Sequence, residues 1–125
     1  MKELRLTEPQ LRSIVLLTDF TLNYLKYRLD EKDAKTNYEL CKTIIEKIEA
    51  TPRNKRITDA KTIETILAAL AELNKVEKLL IVSDAELNLI VRMVNGKLKQ
   101  LQREATNEYH NQLIKDYKEL IKQLI

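Results

Sequence analysis

The chain of 125 residues has very little glycine, proline, cysteine or histidine: one glycine, two prolines, one cysteine and one histidine, with no tryptophan. Loops that cradle a phosphate need several glycines, so Gly96 by itself does not build one. A structural zinc site takes about four Cys or His ligands, whereas this chain offers Cys41 and His110 alone. We therefore predict no metal, no cofactor and no internal disulfide.

Long apolar runs are also missing. The densest run covers residues 79–82, far short of the about 20 consecutive apolar residues of a helix that crosses a bilayer. Near the N-terminus there is no apolar segment of the kind that a secretory signal contains. Together with the single cysteine, these absences lead us to expect a soluble, cytoplasmic protein with no membrane partner.

Groups for nucleophilic catalysis are scarce as well. The serines are Ser13, inside a predicted helix, and Ser83, used as a helix cap. A carboxylate di-iron bundle needs Glu-x-x-His on two helices, which one histidine does not supply. Cys41 lies on an apolar helical face and is expected to be buried and inert, and His110 lies in a polar stretch and is expected to be solvated. We predict no enzymatic activity and no catalytic or cofactor-binding residue.

Three helix-start signatures are what the chain has in place of such motifs. Each sets a hydroxyl three residues before a Glu or Gln, an arrangement in which the two residues satisfy each other's free backbone amides. The pairs are Thr7 with Gln10, Thr36 with Glu39, and Ser83 with Glu86. They predict three helix starts, at residues 8, 37 and 84.

Apolar spacing of three and four residues extends these starts into helices. The first predicted helix covers residues 8–30, the second ends near residue 50, and a loop follows at residues 52–57 because Pro52 disfavours the helical region before it. A third helix begins after Thr58. Residues 76–82 are expected to continue this helix into a short turn, since a lone strand there would have no partner.

The last third of the chain has a heptad-like seam that passes through Gly96 without a break. We expect one helix of about 40 residues from Ser83 to the C-terminus, with two helices separated at Thr106 and Asn107 as the alternative. No internal repeat is evident. The predicted fold is a single all-α domain, residues 1–125, built as a bundle of four or five helices with a long C-terminal helix.

The net charge of +3 is small, but the cations are clustered. One cluster lies in the loop after Pro52. The other lies between Glu86 and Glu104, where there are four cations and no acid. On a helical projection three of these four fall within about 40° of one another. The candidate contacts for a polyanion or an acidic partner are Arg53, Lys55, Arg56, Arg92, Lys99 and Arg103.

Apolar residues exceed what one buried face requires. The first predicted helix carries two apolar stripes, and the C-terminal segment ends without a polar tail. Such surfaces pack on the body of the protein or on a partner. The candidate interface residues are Phe20, Tyr24, Tyr27, Tyr117, Ile121 and Ile125. A homodimer would be the simplest cover for them.

These features favour a non-enzymatic protein–protein interaction module, such as a small adaptor, inhibitor or assembly factor that regulates a larger protein complex. The alternative is a nucleic-acid-associated protein that contacts phosphates through the loop at residues 53–61 and the helix face at residues 92–103. No recognition-helix signature or zinc module accompanies the basic loop, which argues against specific base reading.

Overall fold

A computed structural model of the chain describes residues 1–51, 67, 71–72, 75–104 and 107–125. This part is mostly helical and includes one two-stranded sheet. The elements in chain order are β1 (Lys2–Thr7), α1 (Glu8–Lys26), α2 (Ala34–Ala50), β2 (Glu77–Val82), α3 (Asp84–Glu104) and α4 (Glu108–Leu124). The predicted helical class is confirmed in outline, but the sheet was not expected.

The sheet pairs two strands that lie far apart in the sequence. β1 and β2 run antiparallel, with Leu4 opposite Leu80 and Lys2 opposite Val82. Alternate side chains, including Leu4 and Leu6, are buried under the helices. The expectation of a helix and turn at residues 76–82 is therefore wrong. The partner strand that we could not identify is the segment directly before the first capping box.

The second half of the structure repeats the first, because each half consists of a strand, a capped helix and a second helix. Equivalent positions differ by 76 in residue number, and many of the buried or half-buried ones carry the same residue type. Identical apolar pairs are Leu4 and Leu80, Leu11 and Leu87, Ile14 and Ile90, Val15 and Val91, Leu22 and Leu98, Leu25 and Leu101, and Ile45 and Ile121. The expectation of no internal repeat is wrong.

The two halves are related by an approximate two-fold axis. Leu4 lies opposite Leu80, its own equivalent, so the axis passes between these two residues. The packing is reciprocal, as such symmetry requires: α2 contacts β2, and α4 contacts β1. One cluster of buried side chains draws on all six elements, so the halves share a single core.

Two of the three capping boxes are present. The Thr7 amide donates to Gln10 Oε1 at 2.9 Å and the Gln10 amide donates to Thr7 Oγ1 at 3.4 Å. The Ser83 amide donates to Glu86 Oε1 at 2.8 Å and the Glu86 amide to Ser83 Oγ at 3.2 Å. Both therefore begin helices as predicted.

The prediction of a capping box at Thr36 is wrong. α2 begins at Ala34, behind Asp33, whose left-handed backbone (φ of 63°) reverses the chain after α1. Aspartate tolerates this conformation better than most residues. The predicted end of the first helix is also too late, since α1 ends at Lys26, while the end of the second at Ala50 is confirmed.

The long C-terminal helix is wrong, and the alternative of two helices is correct. α3 ends at Glu104, and Asn107 caps α4 by accepting a hydrogen bond at 3.0 Å from the His110 amide to its Oδ1. The helix does pass through Gly96, as predicted. The predicted loop at residues 52–57 and the helix start at Thr58 lie outside the described residues. Across the described part of the chain, no helix has the length and apolar character needed to span a bilayer.

Candidate interaction surface

The outward face of α1 carries an apolar and aromatic strip consisting of Leu16, Phe20, Tyr24 and Tyr27, here named the aromatic strip. Its members are three or four residues apart and so share one face of the helix. Phe20 is 75% exposed and Tyr27 79% exposed, although large aromatic side chains usually find cover. The inward face of α1, with Leu11 and Ile14, is fully buried.

A cation lies over one end of the aromatic strip. The guanidinium of Arg28 lies over the ring of Tyr24 at 3.9 Å from its centroid, and its Nη1 donates to the Tyr24 carbonyl at 2.9 Å. A cation–π contact at an exposed site contributes about 0.5–1 kcal/mol. One ring of the strip, Tyr24, is therefore partly covered by a side chain of the same chain.

Four cations of α3 are here named the cationic strip: Arg92, Lys99 and Arg103, which share one face, and Lys97, which lies about 140° around the helix from Arg92. Lys97 is half-buried and the other three are exposed. Within the described part of the chain none of the four forms an ion pair. The predicted candidates Arg92, Lys99 and Arg103 thus lie on one solvent-facing surface. The others, Arg53, Lys55 and Arg56, lie outside the described residues.

A groove of about 520 Å³ separates the two strips. Eight of its lining residues form four pairs of equivalent positions, so the groove follows the approximate two-fold axis. The pairs are Leu16 and Arg92, Leu17 and Met93, Phe20 and Gly96, and Thr21 and Lys97. Gln100 of α3 and Tyr117 of α4 complete the lining. The α1 wall is therefore apolar apart from Thr21, and the facing α3 wall carries two cations, Arg92 and Lys97, beside Met93 and Gly96.

At Gly96, the equivalent of Phe20, the α3 wall of the groove has no side chain. A Cβ atom placed on Gly96 would meet nothing within 4 Å, so the space beside its backbone is open. A second hollow adjoins it, lined by Lys99, Gln102 and Arg103 together with Gly96. A bound chain can approach the α3 backbone closely at this point.

The remaining predicted interface residues are placed differently from one another. Tyr117 lines the groove but is half-buried against the core, and this burial raises the pKa of its phenol. Ile121 is half-buried and packs against the core, and Ile125 is 82% exposed at the chain end. Neither isoleucine lines the groove. The structure thus brings Phe20 and Tyr117 together and leaves the chain end apart.

The most buried charged cluster lies away from the groove. Glu86, 2% exposed, accepts hydrogen bonds from Lys47 Nζ, from Thr43 Oγ1 at 2.8 Å and from the Ser83 amide. Burial would raise the pKa of the Glu86 carboxyl, but these hydrogen bonds outweigh it and lower the pKa below its ordinary value. The carboxylate is ionised and fully engaged, so it joins α2 to the start of α3.

Cys41 and His110 show no arrangement for chemistry. Cys41 is buried as expected, and its burial raises the thiol pKa to about 11, which keeps it protonated and unreactive at neutral pH. His110 is half-buried, not solvated as expected, and its Nδ1 has no hydrogen-bond partner among the described residues. Across the described residues, no three His, Cys, Asp or Glu side chains come together as a metal site would require.

Comparison of the chain with protein-family models found no match, and comparisons with curated proteins and with solved structures found no significant similarity. The surface must therefore be interpreted from its own chemistry. Sequence reasoning identified Phe20 and Arg92 separately but missed that they face one groove, and it missed Leu16 as a member of the strip. The four-residue spacing from Leu16 to Phe20 is the signal that could have identified Leu16, whereas the shared groove depends on the tertiary structure.

Proposed function

We propose that the chain is a non-enzymatic protein–protein interaction module, a small cytoplasmic adaptor, inhibitor or assembly factor that regulates a larger protein complex. The observation that carries this proposal is one open groove lined by Leu16 and Phe20 of the aromatic strip and by Arg92 and Lys97 of the cationic strip. Exposed aromatic residues and arginines are the residue types that contribute most to protein interfaces. The groove contacts the partner, and the shared core holds its two walls in register.

The composition of the groove favours binding over catalysis. Its lining has no aspartate, glutamate, histidine, cysteine or serine. Of the lining groups that could serve in catalysis, the Thr21 hydroxyl donates to the Leu17 carbonyl at 2.9 Å, and burial raises the pKa of the Tyr117 phenol. Lys97 is left without a carboxylate or imidazole beside it in the lining. The ionised Glu86 is occupied by Lys47, Thr43 and Ser83 and does not line the groove.

The experiment is capture of partners from a lysate of the native host on the tagged chain, with identification by mass spectrometry and light scattering of the purified chain. Phe20→Glu places a charge in the centre of the aromatic strip and should abolish capture of the specific partner. Thr36→Glu, which adds the same charge at an exposed position of α2, should leave capture unchanged.

Two results would contradict the proposal. One is a monomeric chain that captures no specific protein. The other is capture that Phe20→Glu and Thr36→Glu affect equally. A chain that is dimeric, and that Phe20→Glu makes monomeric, would show a homodimer in which a second copy covers the strip.

Nucleic-acid binding is the second candidate, favoured by the exposed cations Arg92, Lys99 and Arg103 of α3, which form no ion pair with any residue that the structure describes. The sheet gives it little support, because a ribbon that reads the major groove presents several hydrogen-bonding side chains. Here the outward face carries the half-exposed apolar side chains Leu79 and Ile81 on one strand, with Arg5 and Glu3 opposite them on the other. The cationic strip would therefore contact phosphates alone.

A salt titration with duplex and single-stranded DNA and RNA tests this candidate. Phosphate contacts predict binding at low salt that weakens steeply as salt rises, and that Arg92→Glu with Arg103→Glu removes. Lys35→Glu with Lys118→Glu, at exposed positions of α2 and α4, is the control of equal charge. We expect no binding by the native chain at low salt, which would eliminate the candidate.

A further inference from the structure

The two walls of the groove require different chemistry from one occupant. Leu16 and Phe20 are covered most favourably by apolar side chains, whereas Arg92 and Lys97 are matched by carboxylates. The occupant must therefore carry an apolar stripe with acids along its side. An amphipathic helix presents this pattern, since residues at three- and four-residue spacing form one stripe and their neighbours flank it.

The bare backbone at Gly96 suits an occupant with a regular backbone. Gly96 lies opposite its equivalent, Phe20, across the axis. The open space beside Gly96 lets a helix lie close to α3 while its apolar stripe covers Phe20. Gly96 also lines the second hollow, so Lys99 and Arg103 lie next to the groove, where acids of the bound helix can reach them.

Charge selects among the possible helices. No acidic side chain lines the groove, so an acidic helix meets no repulsion there. A second copy of this chain is less suitable, because its α1 carries no net charge: the cations Arg12 and Lys26 balance the acids Glu8 and Asp19. A helix without net negative charge matches the cations of the groove less well than an acidic helix does.

We propose that the groove binds an acidic amphipathic helix of the partner protein, with apolar side chains on Leu16 and Phe20 and carboxylates on Arg92 and Lys97. This inference rests on the proposed interaction function and names the class of partner segment. The groove lies along the approximate two-fold axis. The difference between its two walls fixes which side of the bound helix faces α1 and which side faces α3.

The test is selection from a displayed library of helical peptides of about 18 residues, with a fixed leucine stripe and flanking positions randomised among Glu, Gln and Lys. We expect enrichment of Glu on one flank. Selected peptides should bind about tenfold or more weakly once their Glu residues are replaced by Lys. Arg92→Glu with Lys97→Glu in the protein should reverse the preference towards Lys-rich peptides.

A matched pair of variants at Gly96 tests where the bound helix lies in the groove. Gly96→Leu fills the open space and should abolish peptide binding. Gly96→Ala adds a single methyl group, and this variant should bind the peptide more strongly than Gly96→Leu does. Thermal unfolding followed by circular dichroism verifies that both variants fold. Peptide binding that is unaffected by Gly96→Leu would overturn the placement.

Selection without a charge preference, or enrichment of Lys, would overturn the inference. So would a native chain whose groove is closed by its own dimer and opened by Phe20→Glu. If the host partner is captured through the aromatic strip and acidic peptides are still not enriched, the inference fails while the proposed function stands. If neither partner nor peptide binds, both fail.

Discussion

The two halves of the chain have similar interiors and different surfaces. Ile14 and Ile90 are equivalent, identical and fully buried. A few residues further along the same helices, Phe20 of the first half corresponds to Gly96 of the second, and Leu16 corresponds to Arg92. The core positions agree because both halves pack on one strand pair. The groove positions are free to differ, and their difference gives the groove an apolar and a cationic wall.

The helix starts show a second difference. At the third position of the first helix of each half stand Gln10 and Glu86, and both close a capping box. Glu86 also binds Lys47 and Thr43 of the other half. The second box therefore links the halves, whereas the first one serves its own helix.

The largest expected effect tests whether the interiors are equivalent. Ile14→Ala and Ile90→Ala each remove a fully buried side chain and should each lower the free energy of unfolding by about 2–5 kcal/mol. Because the halves share one core, denaturant unfolding should remain a single transition. Leu16→Ala, on the 70% exposed Leu16, is the control with a small effect. Two separate transitions would show that the halves fold independently.

The next effect concerns the link between the halves. Glu86→Gln keeps the shape of the side chain but removes the charge that Lys47 and Thr43 bind, and should lower the free energy of unfolding by about 1–3 kcal/mol. Glu39→Gln, at an exposed position of α2, should change it little. Equal effects of the two substitutions in urea unfolding would contradict the assigned role of Glu86.

The same carboxylate predicts a pH dependence of smaller size. Since the native pKa of Glu86 is lowered, its contribution to stability is fully present above the ordinary pKa of 4.5 and is lost as pH falls through the lower native value. The difference in unfolding free energy between the native chain and Glu86→Gln should therefore shrink in acid. Urea unfolding of both proteins at neutral and acidic pH measures it, and a difference that grows in acid would be the wrong sign.

At the groove, Gly96→Ala should stabilise the chain by up to about 1 kcal/mol, because alanine loses less backbone freedom than glycine in a helix. The added methyl group meets no atom within 4 Å. Thermal unfolding measures the gain. A loss of stability would mean that the wall beside Gly96 is more crowded than its geometry indicates.

The smallest effect is expected when a buried residue of the first half is replaced by its equivalent in the second half. Thr18 is buried and its hydroxyl donates to the Ile14 carbonyl at 2.6 Å, while its equivalent is the buried Val94. Thr18→Val should change the free energy of unfolding by less than about 0.5 kcal/mol, because the Ile14 carbonyl keeps its helical partner. A loss above about 1 kcal/mol in urea unfolding would show that the interiors differ more than their residues do.

Local signals were predictable and distant ones were not. The boxes at Thr7 and Ser83 need contacts across three residues, so spacing alone located both helix starts. The box at Thr36 failed because Asp33 reverses the chain before it and starts α2 earlier. A pattern of residues does not show that the backbone has already entered a helix by another route.

For the candidate surface, the sequence indicated each strip by its spacing, since a run of cations without an acid and a second apolar stripe on one helix are visible without a fold. It did not show that Phe20 and Gly96 face each other, because residues 76 positions apart meet only through the pairing of β1 with β2. The assignment of Tyr117 and Ile121 to an interface was limited in the same way, since a periodic apolar face does not reveal what packs on it.

The sequence by itself determined where two of the four described helices begin, that the helices have an apolar face, and that metal-binding and nucleophilic residue types are few. These properties follow from interactions within one or two helical turns and from which side chains exist. Only the tertiary structure decided that residues 77–82 form a strand, that the chain folds as two related halves, and that an apolar wall meets a cationic one. Those features require contacts between distant segments, which form only when burial of a shared core brings the segments together.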